Sequence, residues 1–314
     1  MAREAGKATM GQGKAWRKEW GNLGGYLFIA PLVLLWLTFG AYPYFRGLLI
    51  AFQDYRLTDI QSWSPFNSFN GLHNFIEMMG DKAVWQGIKS AFFLYLSWFP
   101  FTTTLSLFTA VMLNRVKTNW LASVYRVLIT LAWVIPLPAA MTMWNHIYEP
   151  NFGYLTYLLR DVLHIWRHTP AWTSDPFWYW PAIGLACSWK GFGYYMLLFL
   201  LGLYNIPQDL YDAARVDGAT GWQQFWYVEL PGIRNIMLLF LVTNVGFLGA
   251  GTVETMTFGA GPGDIYRTLA RVSWDVSFTG ATRLGYGAAM ALFAGLINLG
   301  LVTIVFRTLR SEKA

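Results

Sequence analysis

Charge is scarce in this chain. Asp, Glu, Lys and Arg make up 13% of its 314 residues, about half the roughly 25% of a soluble globular domain, so an ordinary water-exposed fold is excluded. Cysteine is scarcer still. Cys187 is the only one, which rules out an intrachain disulfide and a metal cluster built on thiolates; we read it as a small apolar packing residue. Of the four histidines, His164 and His168 could share one face of a helix, yet a metal site needs at least a third ligand and an ordered outer shell, so an exposed loop is the better reading. A nucleotide-binding phosphate loop is also missing. Its nearest approach, GKATMGQGKA at 6–15, has Ala15 where a Mg²⁺-binding Ser or Thr must follow Lys14 and lacks the first glycine. No cofactor is expected. The 23 basic residues are scattered among loops instead of forming one stripe, which argues against nucleic acid.

What is present is apolar: 55% hydrophobic and 18% aromatic residues. Six stretches carry no Asp, Glu, Lys or Arg: 20–45, 90–114, 127–148, 191–208, 235–253 and 284–306. A helix needs roughly 20 residues to cross the hydrocarbon core. The fourth stretch reaches that length once it is extended back through Lys190 to Ala182. The expectation is an all-α integral membrane protein with six transmembrane helices. The first span is too long for a cleavable signal, is preceded by a basic tail and ends in no small-residue cleavage site, so it is expected to stay as an anchor. If both termini are cytoplasmic, the inner segments hold 13 Lys and Arg against 7 outside. The positive-inside rule therefore favours a multi-pass cell-membrane protein with cytoplasmic ends.

Along the chain, residues 1–19 are expected to form a basic tail that is mobile or lies along the inner lipid surface, 20–309 the membrane domain and 310–314 a short second tail. Neither an internal repeat nor a domain linker is evident. The expected spans are 24–51, with Pro43 at a kink or outer end, then 90–113, 126–147, 182–205, 235–257 and 285–306. Ser64-Pro65 and Asn70-Gly71 mark turns in the first outer segment. Pro136 and Pro138 must interrupt the third span, which a membrane tolerates only where protein or a water-filled cavity receives the freed backbone groups.

One polar stretch interrupts this pattern on the expected cytoplasmic side, within 206–235. It reads YDAARVDGATGWQQFWYVELP from Tyr211 to Pro231. Gln208 to Val216 suits a short helix, with Asp209 and Asp212 at the positive end of its dipole and alanines favouring the helix. Asp217-Gly218 would stop it, since glycine accepts the left-handed conformation that ends many helices. Trp222, Phe225, Trp226 and Leu230 then recur at helical spacing until Pro231. A helix-turn-helix hanging from the membrane is the expected result.

This stretch resembles the coupling loop, the "EAA" loop, of permease subunits in bacterial ABC importers. Asp212, Ala213 and Ala214 stand where that pattern has Glu-Ala-Ala, and Asp217, Gly218, Ala219, Leu230 and Pro231 match its Asp-Gly-Ala and later Leu-Pro. The similarity continues through 28–55, 69–75, 124–148 and 188–214, and TFGAGP at 257–262 with LGYGAAMAL at 284–292 resembles the first permease of maltose and glycerol-3-phosphate type systems. Asp212 and Ala260 depart from the pattern. The resemblance implies an importer for a carbohydrate, or for a glycerol phosphate or other small solute. It further implies a second homologous permease, a cytoplasmic ATPase dimer that hydrolyses the ATP, and an extracytoplasmic solute-binding protein.

Candidate pathway residues are the polar and aromatic groups a lipid-facing helix would not carry. Lys190 is an ionisable group inside a span, flanked by Trp189, Tyr194 and Tyr195. Snorkelling to the outer interface is the alternative. Asn244, Glu254 and Asn298 complete the set, with interhelical hydrogen bonding as their other possible use. No second basic residue accompanies Lys190 in its helix, which favours a neutral sugar over a phosphate. An ion-driven secondary transporter would want intramembrane carboxylates, for which Glu254 alone near a helix end is thin support, or paired broken helices in symmetry-related halves. A membrane enzyme would want a His, Asp, Glu or Ser cluster that the sequence does not offer.

Overall fold

The computed structural model describes residues 24–58, 68–116, 118–259, 261–264, 266–280 and 282–310. The tails 1–19 and 311–314, the Ser64-Pro65 turn, the 6–15 stretch and Ala260 lie outside the described residues. Apart from an isolated antiparallel bridge between Gln53 and Phe69, the described chain is helical and turn-rich. The principal helices are α1 (Gly24–Ile50), α2 (His73–Gly80), α3 (Lys82–Asn114), α4 (Asn119–Val134), α5 (Leu137–Ile147) and α6 (Tyr179–Tyr204). After these come α7 (Gln208–Val216), α8 (Gly221–Gly232), α9 (Arg234–Asn244), α10 (Thr252–Phe258), α11 (Leu269–Phe278) and α12 (Leu284–Arg310).

Four of these, α1, α3, α6 and α12, are long and apolar enough to cross a membrane. The count reaches six if two bent pairs each make one span: α4 with α5, meeting at 93°, and α8 with α9, meeting at 64°. The first bend is the one expected from proline. Ile135 and Pro136 adopt extended ψ angles of 129° and 139°, and the helix restarts at Leu137. Pro138 then falls in a first turn, where its missing N–H costs nothing.

Three expectations need correction. The second span begins at Lys82, eight residues earlier than expected, because Asp81 accepts a hydrogen bond from Ala83 N at 2.8 Å and caps a helix that composition alone placed in a loop. The fifth span does not run unbroken over 235–257. It stops at Asn244, passes through a 3₁₀ turn at Phe247–Gly249 and resumes as α10. Nor does Pro231 end the amphipathic segment. The helix absorbs it after the π-turn Phe225–Glu229 and ends at Gly232. His164 and His168, by contrast, lie exposed in a loop as expected: the π-turn Tyr157–Val162 ends before them, and His164 has φ of 53°.

The best-packed pair is α3 against α6. A Cβ on Gly184 would lie 2.6 Å from Ser97 O, so only glycine lets the two backbones approach this closely. Ser188 Oγ donates to Trp98 O at 3.1 Å, and Ser106 Oγ donates to Phe192 O at 2.9 Å, tying the pair along its length. On the other side of α6, a Cβ at Gly193 would meet Ile129 O of α4 at 2.4 Å. The first half of α1, by contrast, stands clear of the bundle, with Phe28 90% exposed, while Tyr42–Ile50 packs against α12. The π-turn of α1, Leu37–Ala41, precedes Pro43 and accommodates the missing donor. The outer segment is fastened by buried Asn74, whose Nδ2 donates to Ala51 O and Gln53 O at 3.0 and 2.9 Å. Arg283 pairs with both oxygens of Glu77 at 2.6 Å and joins α2 to the start of α12.

Candidate functional site

Two interrupted helices face one another. Breaking α4 at Val134 strands the carbonyls of its last turn. Lys190 answers one of them: its Nζ donates to Trp133 O at 2.9 Å and lies 4.9 Å from the centre of the Trp133 ring. A cation at a helix C-terminus also offsets the negative end of its dipole. Lys190 stands eleven residues into α6, and this carbonyl engages its ammonium. The other break is set by Gly251, whose φ of 92° and whose distance of 2.6 Å from a notional Cβ to both Leu94 Cδ2 and Thr268 Cγ2 admit only glycine. Asn298 Oδ1 of α12 accepts from Leu248 N at 3.4 Å and supports the 3₁₀ turn.

Beyond their breaks, α5 and α10 pack together, and Asn145 Nδ2 donates to Thr257 O at 3.3 Å. Between the breaks lies a cavity of 470 Å³, lined by Val134 and Pro136 from one, Ala250 and Glu254 from the other, and Trp98, Lys190 and Tyr195 from α3 and α6. Its volume falls in the range of small-ligand sites, about 300–1,000 Å³. Of the residues singled out in the sequence, Lys190, Tyr195 and Glu254 line it. Asn244 joins them indirectly, since Tyr195 Oη donates to Asn244 Oδ1 at 2.7 Å. The others do not line it. Trp189 packs edge-on to Trp144 at 5.7 Å, Tyr194 stacks on Trp133 at 4.5 Å, and Asn298 serves the break. No group of three or more His, Cys, Asp or Glu able to hold a metal occurs among the described residues.

At the opposite end of α6 the polar stretch folds as two short helices. Helix α7 covers the expected Gln208–Val216. Gly218 has φ of 73°, its N–H donates to Arg215 O at 3.1 Å, and Ala219 N donates to Ala214 O at 2.9 Å. This is the Schellman arrangement, with Gly218 in its left-handed position. Thr220 then opens α8 through a capping box with Gln223. Asp212 pairs with Arg215 one turn on. Asp212, Ala213 and Asp217 are exposed, as are Trp222, Trp226 and Pro231; Ala214, Ala219 and Leu230 are half-buried. Trp222, Phe225 and Trp226 form a ring cluster with centroids 5.2–5.7 Å apart.

Sequence reasoning missed the tie that holds this pair of helices to the bundle. Arg115, just past the end of α3, places Nη2 at 3.2 Å from Glu229 Oε2 and 3.0 Å from Gly221 O. The Glu229 side chain is 2% exposed and that of Arg115 39%. A signal existed. Glu229 falls seven positions after Trp222, on the apolar stripe of α8, where a carboxylate demands a partner. Asn114 Nδ2 donates to Tyr211 Oη at 3.5 Å beside it, and a cavity of 540 Å³ opens between α7, α8 and the ends of α3 and α6.

Comparison with known proteins agrees with this arrangement. The lactose transport system permease protein LacF of Rhizobium radiobacter is 26% identical over 299 residues, covering 94% of this chain and 97% of that protein. The probable ABC transporter permease protein YesP of Bacillus subtilis is 32% identical over 313 residues, covering 96% and 95%. Among solved structures, a bacterial ABC transporter involved in the import of the acidic polysaccharide alginate has the same fold. It aligns with a TM-score of 0.79 at 20% identity, over 95% of this chain and 99% of that one. The family model described as "Binding-protein-dependent transport system inner membrane component" matches residues 102–310. It spans both helix breaks and the α7–α8 pair, and the chain belongs to that family.

Proposed function

We propose that this chain is a permease subunit of an ATP-driven importer for a carbohydrate delivered by a solute-binding protein. It would form half of the pathway with a second, homologous permease. The observation that carries this reading is the cavity bordered by two facing helix breaks, midway along an α6 whose end leads into a protruding helix pair. Broken helices within a membrane are tolerated where they border a solute pathway. The relatives' names support the cargo class: lactose for one, alginate for the transporter of like fold.

In this reading the bent pairs α4–α5 and α8–α9 belong to two of six spans, with α9 in the membrane and α7–α8 in the cytoplasm. Asp212, Ala213, Ala214, Asp217, Gly218, Ala219, Leu230 and Pro231 form the face that meets an ATPase dimer. Closure of the ATPases would push α7–α8, the tie from Arg115 to Glu229 would pass the motion to α3, and the cavity at Lys190, Tyr195 and Glu254 would open to each side in turn. Uptake of labelled oligosaccharide into vesicles holding the reconstituted assembly tests this. Transport should stop when ATP or the ATPase is withdrawn, and Gly218→Pro should abolish it while the chain still inserts. ATP-independent uptake driven by an ion gradient would refute the proposal. So would activity of an outside-only reporter enzyme fused after Ala314 or inserted at Gly221.

A further inference from the structure

We propose that α2 is an in-plane membrane anchor, seated on the outer leaflet through Leu72, Ile76 and Met79. The inference rests on the six-span reading above, in which α1, α3 and α12 cross the bilayer, and adds a surface that meets lipid without crossing it. At about 100° per residue, α2 and its N-cap Leu72 divide into three sectors. Asn74 and Met78 are buried and Phe75 half-buried, so this sector turns toward the protein. His73, Glu77 and Gly80 form an exposed sector without apolar side chains. Between the two lies a third sector, Leu72, Ile76 and Met79, apolar yet exposed, with Ile76 at 70%.

Ties to the ends of spans fix the depth of α2. Asn74 Nδ2 donates to Ala51 O, one residue beyond α1, and Arg283, one residue before α12, pairs with Glu77. Asp81, which joins α2 to α3, caps α3 through Ala83 N and accepts from Tyr286 Oη of α12 at 2.8 Å. Helices α1 and α12 each have 27 residues. At 1.5 Å per residue each is about 40 Å long, which matches a bilayer of about 40–45 Å with its headgroups. Ala51 and Arg283 therefore stand at headgroup level, and α2 is held there with them. Its apolar sector meets the boundary between headgroups and acyl chains, where amphipathic helices rest with that face about 5–10 Å deep.

Trp85, in the first turn of α3, extends the same surface. Its indole N–H donates to Met79 O at 2.9 Å, so an exposed ring stands beside the apolar sector with its polar atom satisfied, an arrangement suited to the headgroup zone. Lipid fits this surface better than a protein partner does. A soluble solute-binding protein arrives from the water side and would meet His73, Glu77 and Gly80, about 100° around the helix from the apolar sector. Contacts that form and release are also no more apolar than ordinary protein surface, whereas Leu72, Ile76 and Met79 carry no polar group at all.

The test uses the permease pair with its ATPases in nanodiscs, Cys187→Ala as background, and one nitroxide-labelled cysteine at a time. Collisions are measured with oxygen, which concentrates in lipid, and with a nickel chelate confined to water. Labels at Leu72→Cys, Ile76→Cys and Met79→Cys should show an oxygen-to-nickel ratio about fivefold or more above those at His73→Cys and Gly80→Cys, as befits a face about 5–10 Å deep; a side chain at Gly80 meets open space. A bimane at Ile76→Cys should be quenched more by lipid spin-labelled near the headgroup than by lipid labelled at the chain end. Equal ratios around the helix would overturn the proposal, as would stronger quenching from the chain end. So would labels in the apolar sector shielded from both reagents, which would mean that the second permease covers it, or immobilised only when the solute-binding protein is added. The readout needs no transport. Contrast between the sectors without ATP-driven saccharide uptake would leave the anchor standing and remove the importer reading, and uptake without contrast would remove the anchor alone.

Discussion

Removing Arg115 should loosen the α7–α8 pair selectively. Arg115→Ala leaves the Glu229 carboxylate 2% exposed and without its cation, and also deprives Gly221 O of its donor. Breaking a fully buried ion pair costs roughly 3–5 kcal/mol. Arg115 is 39% exposed, however, so water can follow into the vacated space, and about 2 kcal/mol is the better figure. Hydrogen exchange of the α7 and α8 amides reads this directly, because local opening governs exchange there. A loss of about 2 kcal/mol corresponds to exchange about thirtyfold faster. Glu229→Gln keeps the shape and the hydrogen bond but not the charge, so alone it should change little. Combined with Arg115→Ala it should restore much of the protection, since no buried charge remains unpaired. The amides of α3 and α6, held by their own packing, should stay protected in all three variants. Equal acceleration across every helix would refute the reasoning, as would a double variant no better protected than Arg115→Ala.

Three further outcomes follow from the same geometry. Gly193→Ala places a methyl 2.4 Å from Ile129 O, a backbone atom that cannot swing aside, and should cost about 1–3 kcal/mol by overpacking. Gly47→Ala, with open space around it, should not lower thermal stability in detergent, and equal losses would dismiss the close α4–α6 approach. Arg283 holds the Glu77 carboxyl below its ordinary pKa of 4.5, chiefly by hydrogen bonding. The attachment of α2 to α12 should thus be complete above about that pH and be lost as acid protonates Glu77 through its lowered folded value; exchange of the α2 amides should show this acid limb in the wild type but not in Arg283→Gln. Lys190→Met removes the donor to Trp133 O yet fills similar space, so ATP-driven saccharide uptake should persist at a reduced rate. Complete loss of transport in a well-folded variant would mean that the ammonium itself is indispensable to the cargo.

The sequence alone determined the class, the apolar stretches and the polar helix pair, because each is written in short-range pattern. Scarce charge and long apolar runs demand a bilayer. Two alanines, an Asp-Gly stop and a following aromatic stripe specify α7 and α8 almost to the residue, since a glycine forced to positive φ marks its own position. Pro136 and Pro138 likewise announced the first break by removing backbone donors. The second break was not legible: Asn244 to Gly251 is as apolar as a continuous helix, and the turn exists because Gly251 must pass between Leu94 and Thr268 while Asn298 supplies a replacement acceptor. Tertiary structure also decided which polar residues meet. Lys190, Tyr195 and Glu254 converge on one cavity, while Trp189 and Tyr194, their sequence neighbours, turn away, because adjacent residues on a helix point about 100° apart. The partner of Glu229, Arg115, lies far from it in the chain. Only packing brings them together, since a buried charge is answered by whatever group the fold places within reach.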